Sequence, residues 1–300
     1  EKIIMAFTST GFPAEMVKEV FIGAQGHSSI AKLAEQEPIP FSGTDVMTFS
    51  FDGEINLVGE GEAKAAHSNS CEPKTIRPVK IEYGVRVSDE FVRCSDEKRL
   101  NYLKGFRDGF SKKIARGVDI MVMHGTNPKT GALATTLIGG NSFDTNDDVT
   151  SVTYDASDLE GNLTSAVAAI GDYENTGMAF SKTFAAGLAG IKENGVSQYP
   201  QFKLGANPGS MNGVACDVNS TVSKVAGEYA YVGDFKNAFK WGYSDVINFE
   251  VIEYGNPDND AVAGDLKGHN QVYLRAEAFV GWGILDGAAF ARIETTGSGS

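Results

Sequence analysis

Residues 46–58 read VMTFSFDGEINLV and residues 79–87 read VKIEYGVRV. In the first stretch Met47, Phe49, Phe51, Ile55 and Leu57 fall on one side, with Thr48, Ser50, Asp52, Glu54 and Asn56 on the other, the period of two of a β-strand. In the second, Val79, Ile81, Tyr83, Val85 and Val87 face away from Lys80, Glu82 and Arg86. Joined across the polar stretch Gly59–Pro73, the two predict an antiparallel ribbon. A ribbon standing alone in water is marginally stable, so this one is expected to complete its contacts on another copy of the chain.

The ribbon leads into a long basic helix. Ser88 and Ser95 are candidate N-caps, Asp89, Glu90, Asp96 and Glu97 suit a helix's positive end, and Gly125 can end the helix after His124. Leu100, Leu103, Phe106, Phe110, Ile114, Val118 and Met121 recur every three or four residues, an apolar stripe about 40 Å long at the usual helical rise. Gly105, Gly109 and Gly117 each cost about 1 kcal/mol against alanine inside a helix, so a close neighbour is expected there. Between residues 98 and 116, Lys98, Arg99, Lys104, Arg107, Lys112, Lys113 and Arg116 oppose the single acid Asp108, a local charge of +6. Such a face is either simply solvated or approaches phosphates without reading base sequence.

Composition bounds the class. Across 300 residues, 42% are hydrophobic and 22% charged, ordinary usage for one or two soluble globular domains. A net charge of −13 argues against whole-surface attraction to nucleic acid or anionic membrane, leaving only a local basic face. Cys71, Cys94 and Cys216 are odd in number and widely spaced, which suits reduced packing thiols and a cytoplasmic setting. No apolar run reaches the roughly 18 residues of a membrane span, and no signal-peptide pattern is present. Gly297-Ser298-Gly299-Ser300 reads as a linker, so residues 296–300 are treated as a tail outside the fold.

At the N-terminal end, Pro13 and the stripe Met16, Val17, Val20 and Phe21 predict a short helix before Gly23, and Gln36-Glu37-Pro38-Ile39-Pro40 forces extended backbone. Residues 1–45 therefore read as an arm. Beyond residue 125 the texture turns to short elements and glycine-rich turns. Ser157 or Asp158 can cap a helix through Leu163, Val167 and Ile170, and a second helix is expected over Ser181–Ile191. Strands are expected at Gly213–Val218, Tyr229–Gly233, Val246–Tyr254 and Val272–Val280, with an Asn256–Asp260 loop before the last. The class is α+β.

Catalytic patterns are missing. Gly125–Gly131 superficially resembles a phosphate loop, but its glycine spacing is wrong and Pro128 removes an amide donor, so a turn is expected. Gly59-Glu60-Gly61-Glu62 would set two acids against a pyrophosphate. His27, His67, His124 and His269 are scattered, and His67 with Cys71 lacks a second ligand pair. No enzyme activity, cofactor or metal is expected.

The order of parts resembles the major capsid proteins of tailed double-stranded-DNA phages, the Hong Kong 97 type. The matches are Gly26-His27-Ser28-Ser29-Ile30-Ala31-Lys32-Leu33 with Pro38-Ile39-Pro40-Phe41, Val87-Ser88-Asp89-Glu90-Phe91, and Ala115-Arg116-Gly117-Val118-Asp119 leading to His124-Gly125 and Asn127-Pro128-Lys129-Thr130-Gly131. Downstream stand Val232-Gly233-Asp234-Phe235, Lys240-Trp241-Gly242, Arg275-Ala276-Glu277-Ala278, then Asp286, Ala289 and Phe290. The resemblance implies an N-terminal arm (1–45), an extended β-hairpin loop (46–87), a peripheral domain with a spine helix (88–150 and 245–295) and an axial domain (151–244).

By the same resemblance the chain forms homo-pentamers and homo-hexamers of an icosahedral head enclosing double-stranded DNA. Portal, and scaffold or decoration proteins, would be its other partners; no membrane is involved. Assembly would take place in the host cytoplasm and the product would be the virion. The basic residues Lys98, Arg99, Lys104, Arg107, Lys112, Lys113 and Arg116 become inner-face candidates near DNA. Phe49, Phe51, Ile55, Leu57, Glu60, Glu62, Lys64 and Lys74 become inter-subunit candidates, and Asn256, Pro257, Asp258, Asn259 and Asp260 inter-capsomer loop candidates. Some relatives cross-link a loop lysine to an asparagine; Lys64 or Lys74 with Asn256, Asn259 or Asn270 would serve, and no motif fixes the pair. The relatives' final turn often has proline where Gly287 stands here. Two rival readings are an encapsulin-like nanocompartment shell and, in another class, a soluble hydrolase using dispersed acids and histidines.

Overall fold

The computed structural model describes residues 27–51, 57–58, 60, 69–90, 94–244 and 248–295. Chain order runs α1 (Ser29–Leu33), β1 (Thr44–Phe51), β2 (Asn69–Ile76), β3 (Val79–Ser88), α2 (Asp96–His124), β4 (Thr150–Thr153), α3 (Leu159–Ala169), β5 (Gly177–Phe180) and α4 (Lys182–Gly190). It continues with β6 (Lys192–Glu193), β7 (Val196–Ser197), β8 (Ser210–Met211), β9 (Val214–Val218), β10 (Glu228–Gly233), β11 (Phe239–Tyr243), β12 (Asn248–Ile252), β13 (Gln271–Ile284) and β14 (Phe290–Glu294).

The expected ribbon exists, with a different second strand. β1 pairs antiparallel with β2, from Thr44 opposite Ile76 to Phe51 opposite Asn69. Residues 69–76 show no alternation and include Pro73, but both strands of a two-stranded ribbon are edges, where proline is tolerated. β3 instead pairs along β13, Val79 opposite Val280 to Ser88 opposite Gln271. Its alternation records one face packed on a core: Val87 is buried, and Tyr83 stacks on Phe106 and Phe110, each at 6.2 Å. β11 and β12 lie end to end on the other edge of β13, completing a four-stranded sheet. Past the end of β3, Asn141 takes over that edge: its Nδ2 donates to the Trp282 carbonyl at 2.7 Å and its Oδ1 accepts from Ile284 N at 3.1 Å.

α2 lies on this sheet with Leu103, Phe106, Phe110, Ile114, Val118 and Met121 buried, as the stripe predicts. Gly125 ends it in the left-handed conformation, φ 63°, its N–H donating to Met121 O at 3.0 Å. The glycines inside it do not behave as expected. A Cβ at Gly105 or Gly109 would meet nothing within 4 Å, and one at Gly117 would meet only Pro128 Cγ, at 3.7 Å. Among the described residues no neighbour explains the first two.

A second core forms where α3 and α4 cover a six-stranded sheet of order β4-β14-β10-β5-β9-β8. Asp158 caps α3, accepting from Gly161 N at 2.8 Å, and Ser181 caps α4, accepting from Phe184 N at 3.1 Å. Leu163 and Ile170 are buried, whereas Val167, expected to face inward, is 40% exposed. Hydrogen bonding crosses the sequence-based division: β14 enters the six-stranded sheet, and β3 and β11 enter the four-stranded one.

Of the arm, residues 27–43 are docked on their own chain rather than extended away from it. Ile30, Leu33, Ala34 and Ile39 are buried. Glu37 N donates to Trp241 O at 2.9 Å and Ile39 N to Tyr243 O at 3.2 Å. A Cβ at Gly242 would fall 1.6 Å from the Glu37 carbonyl oxygen, so only glycine permits this crossing. The helix predicted over residues 13–21 lies outside the described residues. At the final turn, a Cβ at Gly287 would lie 2.6 Å from Asp148 Cβ, so close packing accounts for its glycine.

Candidate assembly and DNA-facing surfaces

The β1–β2 ribbon exposes apolar side chains that its own chain leaves uncovered. Met47 is 54% and Leu57 96% exposed, with Val58 beside it also exposed; Glu60 is exposed and Lys74 half-buried. Phe49 and Phe51 sit in β1 opposite Cys71 and Asn69, their side chains outside the described residues, as are Ile55, Glu62 and Lys64 altogether. Beside β3, which among the described residues pairs on one side only, runs a groove of about 530 Å³. Ile81, Tyr83, Phe110, Ile114, Pro128 and Leu137 line it, with Lys113 and Lys129 bringing charge.

The basic residues of α2 separate into two groups. Lys98, Lys104, Lys112 and Lys113 are exposed. The arginines are engaged within the subunit: Arg107 pairs with Asp108 (Nη2–Oδ1 2.6 Å), Arg116 Nη1 donates to Ser220 Oγ at 3.3 Å, and Arg99 Nη2 to Cys94 O at 3.5 Å. The exposed charge of this helix thus rests with the lysines, flexible point charges without a bidentate fork.

The Asn256–Asp260 loop is folded around Arg86, which the sequence presented only as the polar face of a strand. Arg86 Nη2 donates to Asn256 Oδ1 at 2.7 Å and to Gly264 O at 2.9 Å, and Nη1 to Ala263 O and Gln271 Oε1, each at 3.2 Å. Asp258 closes the ring with both oxygens, and this hydrogen bond holds its carboxyl down at about 2. Asp260 accepts from Val262 N and Ala263 N, and Asn259 takes a left-handed backbone, φ 52°. Asn256 and Asp258 are therefore scaffolding for the loop. Asn256 has its amide engaged on both sides, since Nδ2 donates to Asp260 O at 3.0 Å.

Two buried polar clusters hold the docked arm and the two cores together. Asp119, fully buried in α2, accepts from Ser28 Oγ (2.5 Å), Ser29 N (3.0 Å), Ile30 N (3.2 Å), Thr221 Oγ1 (2.9 Å) and Asn219 Nδ2 (3.2 Å). Burial outweighs these donors and lifts its carboxyl to about 6. Next to it Asp217 receives Lys32 Nζ at 2.5 Å, Ser29 Oγ at 2.6 Å and Asn207 Nδ2 at 2.6 Å.

The other cluster centres on His124, whose Nε2 donates to Thr221 O at 2.8 Å and whose Nδ1 lies 2.6 Å from Asp144 Oδ2. Tyr231 OH donates to Asp144 Oδ1 at 2.6 Å, and Arg292 Nη1 to the carbonyls of Phe143 and Asp144. This histidine is buried, with Tyr231 OH also 3.3 Å from its Nδ1, and the arrangement braces α2 against β10. Among the described residues no group of His, Cys, Asp and Glu could hold a metal ion, and no helix is long and apolar enough to cross a membrane.

The model of the family described as "Phage capsid family" matches residues 10–295. The chain belongs to the phage capsid family. A curated relative, "Probable major capsid protein gp17" of Mycobacterium phage D29, is 28% identical over 113 residues, which is 38% of this chain and 35% of that relative. A solved chain from Mycobacterium phage Ogopogo superposes with TM-score 0.75 at 26% identity, covering 90% of this chain and 92% of that one. One from Gordonia phage Cozz gives TM-score 0.70 at 23% identity over 90% and 87%. This member of the capsid family thus has the α+β architecture that the order of its motifs implied. Arg86, Asp119 and His124 were the structural hubs that sequence reading missed, because their partners lie far away along the chain.

Proposed function

We propose that this major capsid protein of a tailed phage assembles through pentamers and hexamers into an icosahedral head. Its role is structural, without turnover, and the shell encloses double-stranded DNA. The observation that carries the reading is the β1–β2 ribbon, which leaves Met47 in solvent, with Leu57 exposed in the segment between its strands. An exposed two-stranded ribbon gains stability only by burying its apolar side chains and its edge amides, and a neighbouring copy supplies both. The groove beside β3, where Ile81, Tyr83 and Leu137 stand with Lys113 and Lys129, is the surface the same chain offers for that contact. Repeated over identical subunits, a ribbon-to-neighbour contact whose rotation closes gives rings, the pentamers and hexamers, and contacts between rings then close the shell.

The exposed lysines of α2 are assigned to the inner face, where they meet phosphates without sequence preference. Portal, scaffold and decoration proteins are partners in this scheme, which places assembly in the host cytoplasm. The test is a double substitution, Met47→Asp with Leu57→Asp. Neither residue supports the subunit's own cores, so the circular dichroism spectrum and melting temperature stay at wild-type values while particles vanish from negative-stain images. Normal particles from this variant would refute the ribbon contact.

A further inference from the structure

Leu204 stands in the left-handed conformation, φ 59° and ψ 25°, and is completely exposed, at 106%. Every other described non-glycine residue with positive φ is an asparagine: Asn194, Asn212, Asn259 and Asn270. Asparagine and glycine take this backbone readily, whereas a leucine pays for it in steric strain between its Cβ and the carbonyl. Neither its backbone nor its side chain benefits the subunit, because the side chain covers nothing.

The turn is nonetheless held firmly at both ends. Two residues before it, Phe202 is buried and packs edge-on against Phe180 at 6.0 Å. Three residues after it, Asn207 Nδ2 donates to the buried Asp217 at 2.6 Å and Asn207 Oδ1 accepts from Val218 N at 3.2 Å. Ala206 N closes the turn on Lys203 O at 3.2 Å. The anchors hold Leu204 in this conformation, and outliers held in this way cluster at functional sites, which marks an apolar side chain held out on this turn for contact.

Charge indicates what that contact is. Residues 194–213 contain one charged residue, Lys203, in a chain that is 22% charged with a net charge of −13. The segment also exposes Val196, at 66%. A surface meeting its own copy brings identical residues together, so a charged segment would repel itself while a nearly neutral apolar one does not. We propose that Leu204 is an interaction residue, packing against the matching turn of a neighbouring copy of this chain. This inference rests on the shell reading above and adds to it a second subunit contact, independent of the ribbon.

The experiment compares wild type, Leu204→Asn and Leu204→Met, following melting of unassembled subunits and the protein concentration at half-assembly by sedimentation. Leu204→Asn should raise the subunit melting temperature by about 2 °C through relief of backbone strain. It should also raise the half-assembly concentration about tenfold, the effect of losing about 1.4 kcal/mol of contact. Leu204→Met, which keeps an apolar side chain, should assemble like wild type. Assembly of Leu204→Asn at the wild-type concentration overturns the inference, as does a fall in its subunit melting temperature, which would make Leu204 a support of its own fold. Wild-type protein that never associates removes the shell reading itself, a result read without either variant.

Discussion

Asp258 grips the guanidinium of Arg86 at two points, Oδ2 to Nε at 2.8 Å and Oδ1 to Nη2 at 2.5 Å. Three backbone or amide oxygens from the same loop, on Ala263, Gly264 and Asn256, converge on that one cation. The loop is folded around a side chain much as an ion-binding loop is folded around a metal. Lysine cannot reproduce the planar fork. Arg86→Lys and Arg86→Ala should both open the segment 254–265 to protease, while the wild-type protein is not cut there. The carboxyl pKa of Asp258 lies below its unfolded value, at about 2. Its contribution is therefore full above the ordinary carboxylate range and declines as pH falls from there through about 2. Wild-type protection should persist at pH 4, and cleavage there at the pH 7 rate of Arg86→Ala would contradict the assignment.

Asp119 is the point at which the arm is fastened. Asp119→Ala leaves the donors of Ser28, Ser29, Ile30, Asn219 and Thr221 facing an apolar gap, and a loss of about 3 kcal/mol or more is expected. Urea unfolding measures it. The carboxyl pKa is raised, to about 6, so the folded state holds this proton more tightly than the unfolded one. Its stabilisation is full below the ordinary aspartate value and declines as pH rises through about 6, by at most about 3 kcal/mol. The unfolding free energy of wild type relative to Asp119→Asn should fall over that window; a flat difference would show that Asp119 does not titrate there.

Glu228 is a buried carboxyl standing across the β10–β14 pair from Glu294. Burial, with Asp144 nearby and a hydrogen bond to Glu294, raises its pKa well above the usual glutamate range. It is protonated at neutral pH and acts as a donor. Glutamine keeps that donor and cannot ionise. Glu228→Gln should match wild type in melting temperature at pH 5 and exceed it at pH 9, because the wild-type advantage is present at low pH and lost as pH rises. Parallel melting curves for the two proteins across that range would count against the protonated form.

The α2 lysines predict a salt-dependent effect. Lys98→Glu, Lys104→Glu and Lys112→Glu change exposed residues and should leave the subunit melting temperature within about 1 °C of wild type. If this face meets the genome, shells of the triple variant should retain less DNA at low salt, and the deficit should narrow as salt rises, because screening weakens the wild-type lysine contacts as well. Full DNA content at every ionic strength would leave the face merely solvated.

Alternation along residues 79–87 was legible because one face of β3 is buried against α2, and a period of two reports that burial. It could not report which strand covers the edge, so β3 was assigned to the ribbon although it pairs with β13. The true second strand, residues 69–76, gave no signal because Cys71, Pro73 and Thr75 are exposed and only Ile76, at its end, is buried, so no run of alternating burial exists to read. α2 was legible from its stripe and its terminal glycine, yet Gly105 and Gly109 face open space where a neighbour had been expected. The Asp119 cluster was out of reach: Ser28 and Thr221 lie 91 and 102 residues from it in sequence. Arg86 gave the same difficulty, since its ring of acceptors closes only when the 254–265 loop folds over β3.

The most direct measurement is electron microscopy of purified wild-type protein across a concentration series, with sedimentation to give the mass. Closed angular particles of uniform diameter are expected, because the subunit leaves Met47 and Leu57 exposed for sister copies to cover. A single species at the monomer mass of 31.9 kDa at every concentration, with no particles on the grid, would contradict the account.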